Sequence, residues 1–143
     1  MIMEQRYTIE LSKHQLQMLS MMCDRMARLI CGQLGNSVQE FVEEAWEKRH
    51  KTKECPSGMV EGWGDMRAEV EMLLDRLKDI GWGLESNAYY GIKYDDAADL
   101  FWEMHRVMRH QLWLDNPDRL AWSVDGDEPI KLTDEPMIKV SKI

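Results

Sequence analysis

The chain has 143 residues, 44 % of them hydrophobic and 31 % charged, the composition of a globular domain and not of a disordered segment. A formal net charge of -8 sets the whole-molecule field against polyanions, which excludes polymeric nucleic acid and an anionic membrane as partners held by long-range attraction. No apolar run approaches the ~18 residues of a membrane span, and Met1 to Arg6 carries neither the basic nor the apolar stretch of a secretory signal.

Tyr7 to Leu11 alternates apolar and polar residues, the pattern of a short strand. Ser12 followed three residues later by Gln15 is a capping box, and Leu11 and Leu16 flank it as a hydrophobic staple, so a helix is predicted to start at Ser12. Its inward stripe is read as Leu16, Leu19, Cys23, Met26 and Ile30. A second stripe runs through Met21, Arg25, Arg28 and Gly32, placing both arginines on one face away from the main core. Gly32 and Gly35 interrupt the helix, and Val38, Phe41, Val42, Ala45 and Trp46 resume the period to about Arg49.

His50 to Gly64 holds a proline and three glycines and reads as a loop. The next helix is predicted over Asp65 to Ile80, with Met66, Val70, Leu73, Leu77 and Ile80 buried and Gly81 as its C-cap. Gly81 to Lys93, with Trp82, Asn87, Tyr89 and Tyr90, reads as an ordered loop with a role. A third main helix starts at Asp95 or Asp96, turns Ala97, Phe101, Met104, Met108 and Leu112 inward, and ends at Asn116-Pro117. Ala121 to Val124 and Ile138 to Val140 read as short strands. With the N-terminal strand they predict an α+β domain: three main helices and a small antiparallel sheet over residues 1–143.

The spacing of the chemically active residues points to binding. His105 and His110 are five apart, off the i, i+4 register of a helical metal pair, and no Cys/His set has zinc spacing, so no metal is expected. Cys23, Cys31 and Cys55 are odd in number with no CxxC, which predicts idle thiols in a reducing compartment. Nucleophile elbows, Walker loops and dinucleotide glycine fingerprints are absent, so neither a catalytic residue nor a cofactor is assigned. Arg25 and Arg28 on one helix, and Arg106, Arg109 and His110 on another, read either as surface ion pairs or as guanidiniums that grip phosphate. Trp82, Tyr89 and Tyr90 either cover the end of the core or stack on a base, with Asn87 placed to read a base or ribose edge. Twelve Met and six Trp exceed the need of one small core and predict self-association.

Five strings in order carry a resemblance over nearly the whole chain: Tyr7-Thr8-Ile9-Glu10-Leu11-Ser12 with Gln15-Leu16; Arg28-Leu29-Ile30-Cys31-Gly32-Gln33; Ser86-Asn87-Ala88-Tyr89-Tyr90-Gly91-Ile92; Val107-Met108-Arg109-His110; and Val124-Asp125-Gly126-Asp127-Glu128-Pro129. Together they resemble the first family of Thoeris anti-defence proteins, small phage proteins. The resemblance implies a sponge that sequesters cyclic ADP-ribose isomers made by TIR-domain enzymes without cleaving them, inside the cytoplasm of an infected bacterial host. It also implies homodimers and hexamers with pockets between protomers. Some members bind cyclic di- or trinucleotides of CBASS defence at a separate site. Carried over by motif, Arg28 and Arg109 would hold the pyrophosphate, Trp82 would stack on the base, and Asn87, Tyr90 and His110 would line the pocket. Arg25 is the candidate for the second site. The alternatives are a protein–protein inhibitor or adaptor acting on a host protein through a Met- and Trp-rich surface, and an enzyme acting on a nucleotide.

Overall fold

A computed structural model describes residues 4–51, 60–117 and 124–143. Its architecture is four helices: α1 (Lys13–Ile30), α2 (Glu40–His50), α3 (Trp63–Trp82) and α4 (Asp96–Asp115). The capping box closes as the sequence dictates. Ser12 Oγ accepts from the Gln15 amide at 3.1 Å, and the Gln15 side-chain oxygen accepts from the Ser12 amide at 2.8 Å. At its other end α1 finishes in a Schellman turn. The Gln33 amide donates to the Arg28 carbonyl at 2.8 Å and the Gly32 amide to Leu29 at 3.1 Å, with Gly32 at a φ of 85°. One π-helical turn, Gly35–Gln39, then leads into α2, so the first predicted helix is interrupted where its glycines fall.

α1 and α4 pack along each other as the centre of the fold. The residues these two helices bury are mostly small or polar: Ser20, Cys23 and Ala27 from α1, and Ala98, Asp99, Glu103, His105 and the larger Met108 from α4. Asp95 caps α4 by accepting from the Ala98 amide at 3.0 Å. Gly81 lies inside α3, and Gly83, in the left-handed region, terminates it. Trp82 is therefore the last residue of a helix and not part of a loop.

The α+β expectation is overturned: the fold is all-helical, with no strand among the described residues. Alternation in Tyr7 to Leu11 makes a strand only if a neighbour completes a ladder. Here Tyr7 and Ile9 stay 81 % and 70 % exposed, and the segment reaches the C-terminal stretch through one Arg6 guanidinium hydrogen bond to the Met137 carbonyl. Ile138 to Val140 forms no strand, Val124 belongs to a 3-10 turn (Val124–Gly126), and residues 121–123 lie outside the described residues. Further along, amides that a sheet would use are satisfied otherwise. The buried Glu103 carboxylate accepts from the Leu132 and Thr133 amides at 2.7 and 3.0 Å, pinning the tail to α4.

The predicted inward stripes also shift: on α4 only Met108 of the predicted positions is buried, Ala97 is exposed, and Ala98, Asp99, Glu103 and His105 turn inward instead. On α3 it is Leu74 and Lys78 that are buried, while Leu73, Leu77 and Ile80 are exposed with Met72. On α1, of the predicted positions only Cys23 is buried, and Leu19 and Met26 face outward with Met18 and Met22.

Candidate functional site

The Schellman turn ends α1 beside the start of α4, and the chain leaving α3 crosses above both. That crossing chain is held from several sides. The Tyr90 amide donates to the Cys31 carbonyl at 2.9 Å, and the Tyr90 hydroxyl donates to the Trp82 carbonyl at 3.2 Å. Lys78 Nζ donates to the Ser86 carbonyl at 2.9 Å. Both Asp99 oxygens accept from the Lys93 amide, which stabilises Lys93 in the left-handed region at a φ of 74°. Tyr90 and Tyr94 stack with ring centroids 4.0 Å apart.

Beneath this chain lies an open cleft of about 250 Å³. Arg28 and Gln33 supply its polar hardware from α1 and the turn after it, Trp102 and Asp99 stand on α4, and Tyr89 and Tyr90 form the outer wall. The Arg28 guanidinium is held in place on three sides. Its Nε donates to Asp24 at 3.0 Å, its Nη1 donates to Gln33 at 2.8 Å, and its carbon lies 5.6 Å from the Trp102 ring centre. An aromatic plane beside a fixed guanidinium is an arrangement that accepts a base with an attached phosphate.

Arg109 does not line the cleft, but a chain of contacts joins it to Arg28. Asp24 Oδ1, which holds Arg28, is 3.8 Å from His105 Nε2, and Arg109 Nη1 is 3.3 Å from the same nitrogen. His105 Nδ1 lies 2.9 Å from the Ser20 carbonyl, which can only accept, so the proton sits on Nδ1 and Nε2 accepts from Arg109. Burial pushes the His105 pKa down, the Asp24 carboxylate and the Ser20 carbonyl push it up, and Arg109 and Arg106 push it down. The two guanidiniums predicted to act together are thus brought to one side of the α1–α4 pair, bridged by an aspartate and a neutral imidazole.

The other candidate residues scatter. Trp82 turns inward: its Nε1 donates to the Ile30 carbonyl at 2.8 Å, and its ring covers Gly32, where a Cβ would meet it at 3.3 Å. It braces the cleft from behind and is not among the lining residues. Asn87 is exposed on the crossing chain. His110 Nδ1 pairs with the Asp125 carbonyl at 2.8 Å, beside Arg109. Arg25 sits at the α1–α2 corner, paired with Glu40 at 2.9 Å and lying over Phe41. Burial first, then Asp99 and Asp95, raise the pKa of the Cys31 thiol at the cleft floor, and burial raises that of Cys23, so both thiols stay protonated at neutral pH. Cys55 lies outside the described residues.

Sequence reasoning missed Trp102 and Gln33. Trp102 falls outside the inward stripe that the period predicts for α4, and its i+3 relation to Asp99 together with the nearness of α1 turns that face into a cleft wall. Gln33 follows the capping glycine, and the Schellman geometry itself delivers it to Arg28. Among the described residues there is no group of three metal-ligating side chains, and no described helix is long and apolar enough to cross a membrane. No protein-family model, curated protein or solved structure matches the chain, so the reading of the site rests on its own geometry.

Proposed function

We infer that the protein binds and sequesters a small cyclic nucleotide, a cyclic ADP-ribose isomer of the kind TIR-domain enzymes release, and leaves it intact. The observation that carries this reading is the Arg28–Trp102 pair, an immobilised guanidinium beside an indole that lines a cleft walled by Tyr89 and Tyr90. In the proposal the base stacks on Trp102 and the pyrophosphate meets Arg28, with Arg109 next along the contact chain. A 250 Å³ cleft is smaller than the ~300–1,000 Å³ of pockets that enclose a drug-sized ligand, so it takes one nucleoside half and leaves the rest to its rim.

The same reading assigns the protein to phage anti-defence in the host cytoplasm, acting as a homodimer or hexamer. The exposed apolar faces of α1 and α3 support the self-association. They equally support the second reading, an inhibitor that docks on a host protein. Binding of cyclic di- or trinucleotides is proposed for the separate Arg25 corner.

Isothermal titration with cyclic ADP-ribose isomers is the test, followed by recovery of the ligand after heat denaturation. Saturable heat and intact ligand are expected. Trp102→Ala should weaken binding by about 10- to 100-fold, the range for one base–aromatic stack, and Arg28→Ala by a similar factor. No heat with any isomer sinks the proposal; time-dependent loss of the ligand makes the protein an enzyme. Capture of a host protein unaffected by either substitution favours the inhibitor.

A further inference from the structure

Three basic side chains of α4 converge on one short turn. Arg106 Nη2 donates to the Val124 carbonyl at 2.9 Å. Arg109 grips the Asp125 carboxylate with two nitrogens, Nε and Nη2, each at 2.8 Å. His110 Nδ1 pairs with the Asp125 carbonyl at 2.8 Å. Gly126 packs so closely on Trp113 that a Cβ there would approach its ring to 3.0 Å. A planar guanidinium forked onto two carboxylate oxygens, with a second guanidinium and an imidazole beside it, is the coordination a diphosphate receives. Here the chain's own aspartate occupies it.

We propose that the Val124–Gly126 turn is an internal pseudo-ligand, and that a diphosphate-bearing ligand takes Arg109 by displacing Asp125, so that occupancy of this cluster and release of the turn from α4 are one equilibrium. The proposal deepens the nucleotide-binding reading and relies on it only for the identity of the natural ligand. Competition between a tethered carboxylate and a free anion scales apparent affinity down to the fraction of molecules in which the turn is undocked. Removing the carboxylate's charge must therefore tighten binding, the opposite of what loss of a ligand contact does.

The probe is inorganic pyrophosphate at millimolar concentration, added to the full chain. In the wild type, hydrogen exchange at residues 124–128 should speed up as pyrophosphate saturates. Asp125→Asn should bind it about tenfold tighter, the worth of one charge-assisted contact, while Asp127→Asn, whose amide only closes the turn onto Val124 at 3.2 Å, should bind as wild type does. Unchanged exchange at 124–128, no pyrophosphate binding, or equal or weaker binding by a folded Asp125→Asn overturns the proposal. Should that variant not fold, the wild-type exchange measurement decides alone. Pyrophosphate displacement with no response to cyclic ADP-ribose isomers keeps the pseudo-ligand and removes the sponge. Isomer binding that needs Arg28 but leaves 124–128 untouched does the reverse.

Discussion

Acidification should destabilise this fold through His105. The imidazole is 3 % exposed, its Nδ1 proton is committed to Ser20, and its Nε2 accepts from Arg109. A second proton on Nε2 replaces that hydrogen bond with repulsion from Arg109 and Arg106, offset by Asp24 at 3.8 Å and by the Ser20 carbonyl. Burial, the largest influence, holds the folded-state pKa below the 6.5 of a free histidine. The sign follows. Above pH 6.5 both states are neutral at this residue and it adds no pH dependence. Below that value the unfolded chain takes up the proton first, and stability falls until the depressed folded pKa is reached. The limiting slope is about 1.4 kcal/mol per pH unit, and the loss accumulates until the depressed folded-state pKa is passed. Urea unfolding followed by tryptophan fluorescence, between about pH 7.5 and about pH 5.5, measures it in the wild type and in His105→Gln. The difference in stability between the two proteins should shrink as pH falls. A difference that stays constant or grows would refute the account of a buried, neutral imidazole.

Gly32→Ala should lower stability by about 1–2 kcal/mol, because the Schellman turn needs a left-handed residue there and the added methyl meets Trp82 at 3.3 Å; thermal unfolding reads it, and an unchanged Tm would contradict the close packing. Glu103→Ala leaves the amides of Leu132 and Thr133 without their acceptor, at a cost of about 1–3 kcal/mol, and should raise hydrogen exchange at 131–133, whereas Glu103→Gln keeps an acceptor and should change exchange little. Leu77→Glu, on the exposed face of α3, should leave helix content intact and shift sedimentation toward the monomer; an unaltered mass would exclude that face from self-association.

Legibility in the sequence followed locality. The capping box at Ser12, the break at Gly32 and the Asp95 cap are each decided within a few residues, and each was readable. The buried stripes were not. α1 and α3 carry apolar residues on more than one face, and period alone does not say which face meets the rest of the chain. The face chosen for α3, Leu73–Leu77–Ile80, is the one left exposed, while the line that turns inward includes Lys78, whose ammonium reaches the Ser86 carbonyl. The sheet failed for a related reason: alternation in Tyr7 to Leu11 specifies a pleat but not a neighbour. Of the site, Arg28 and Tyr90 stood out because their residue types are chemically loud. Trp102 became part of a cleft only through the approach of α1, and Trp82, equally conspicuous, was diverted by a single acceptor, the Ile30 carbonyl. The Asp125 grip on Arg109 spans sixteen residues of separation and has no local signature.

The seam between α1 and α4 has a consequence for recognition. Ser20 and His105 interlock through both backbone carbonyls and the imidazole, so sliding one helix along the other by a turn would orphan several buried polar atoms at once. The separation of guanidinium and indole across the groove is therefore set when the chain folds, and a visiting molecule finds its seat already spaced. If the proposed sequestration of cyclic nucleotides holds, discrimination between isomers would depend on whether their covalent geometry matches that fixed gap, and a ring closed through the wrong ribose hydroxyl would be rejected by shape alone.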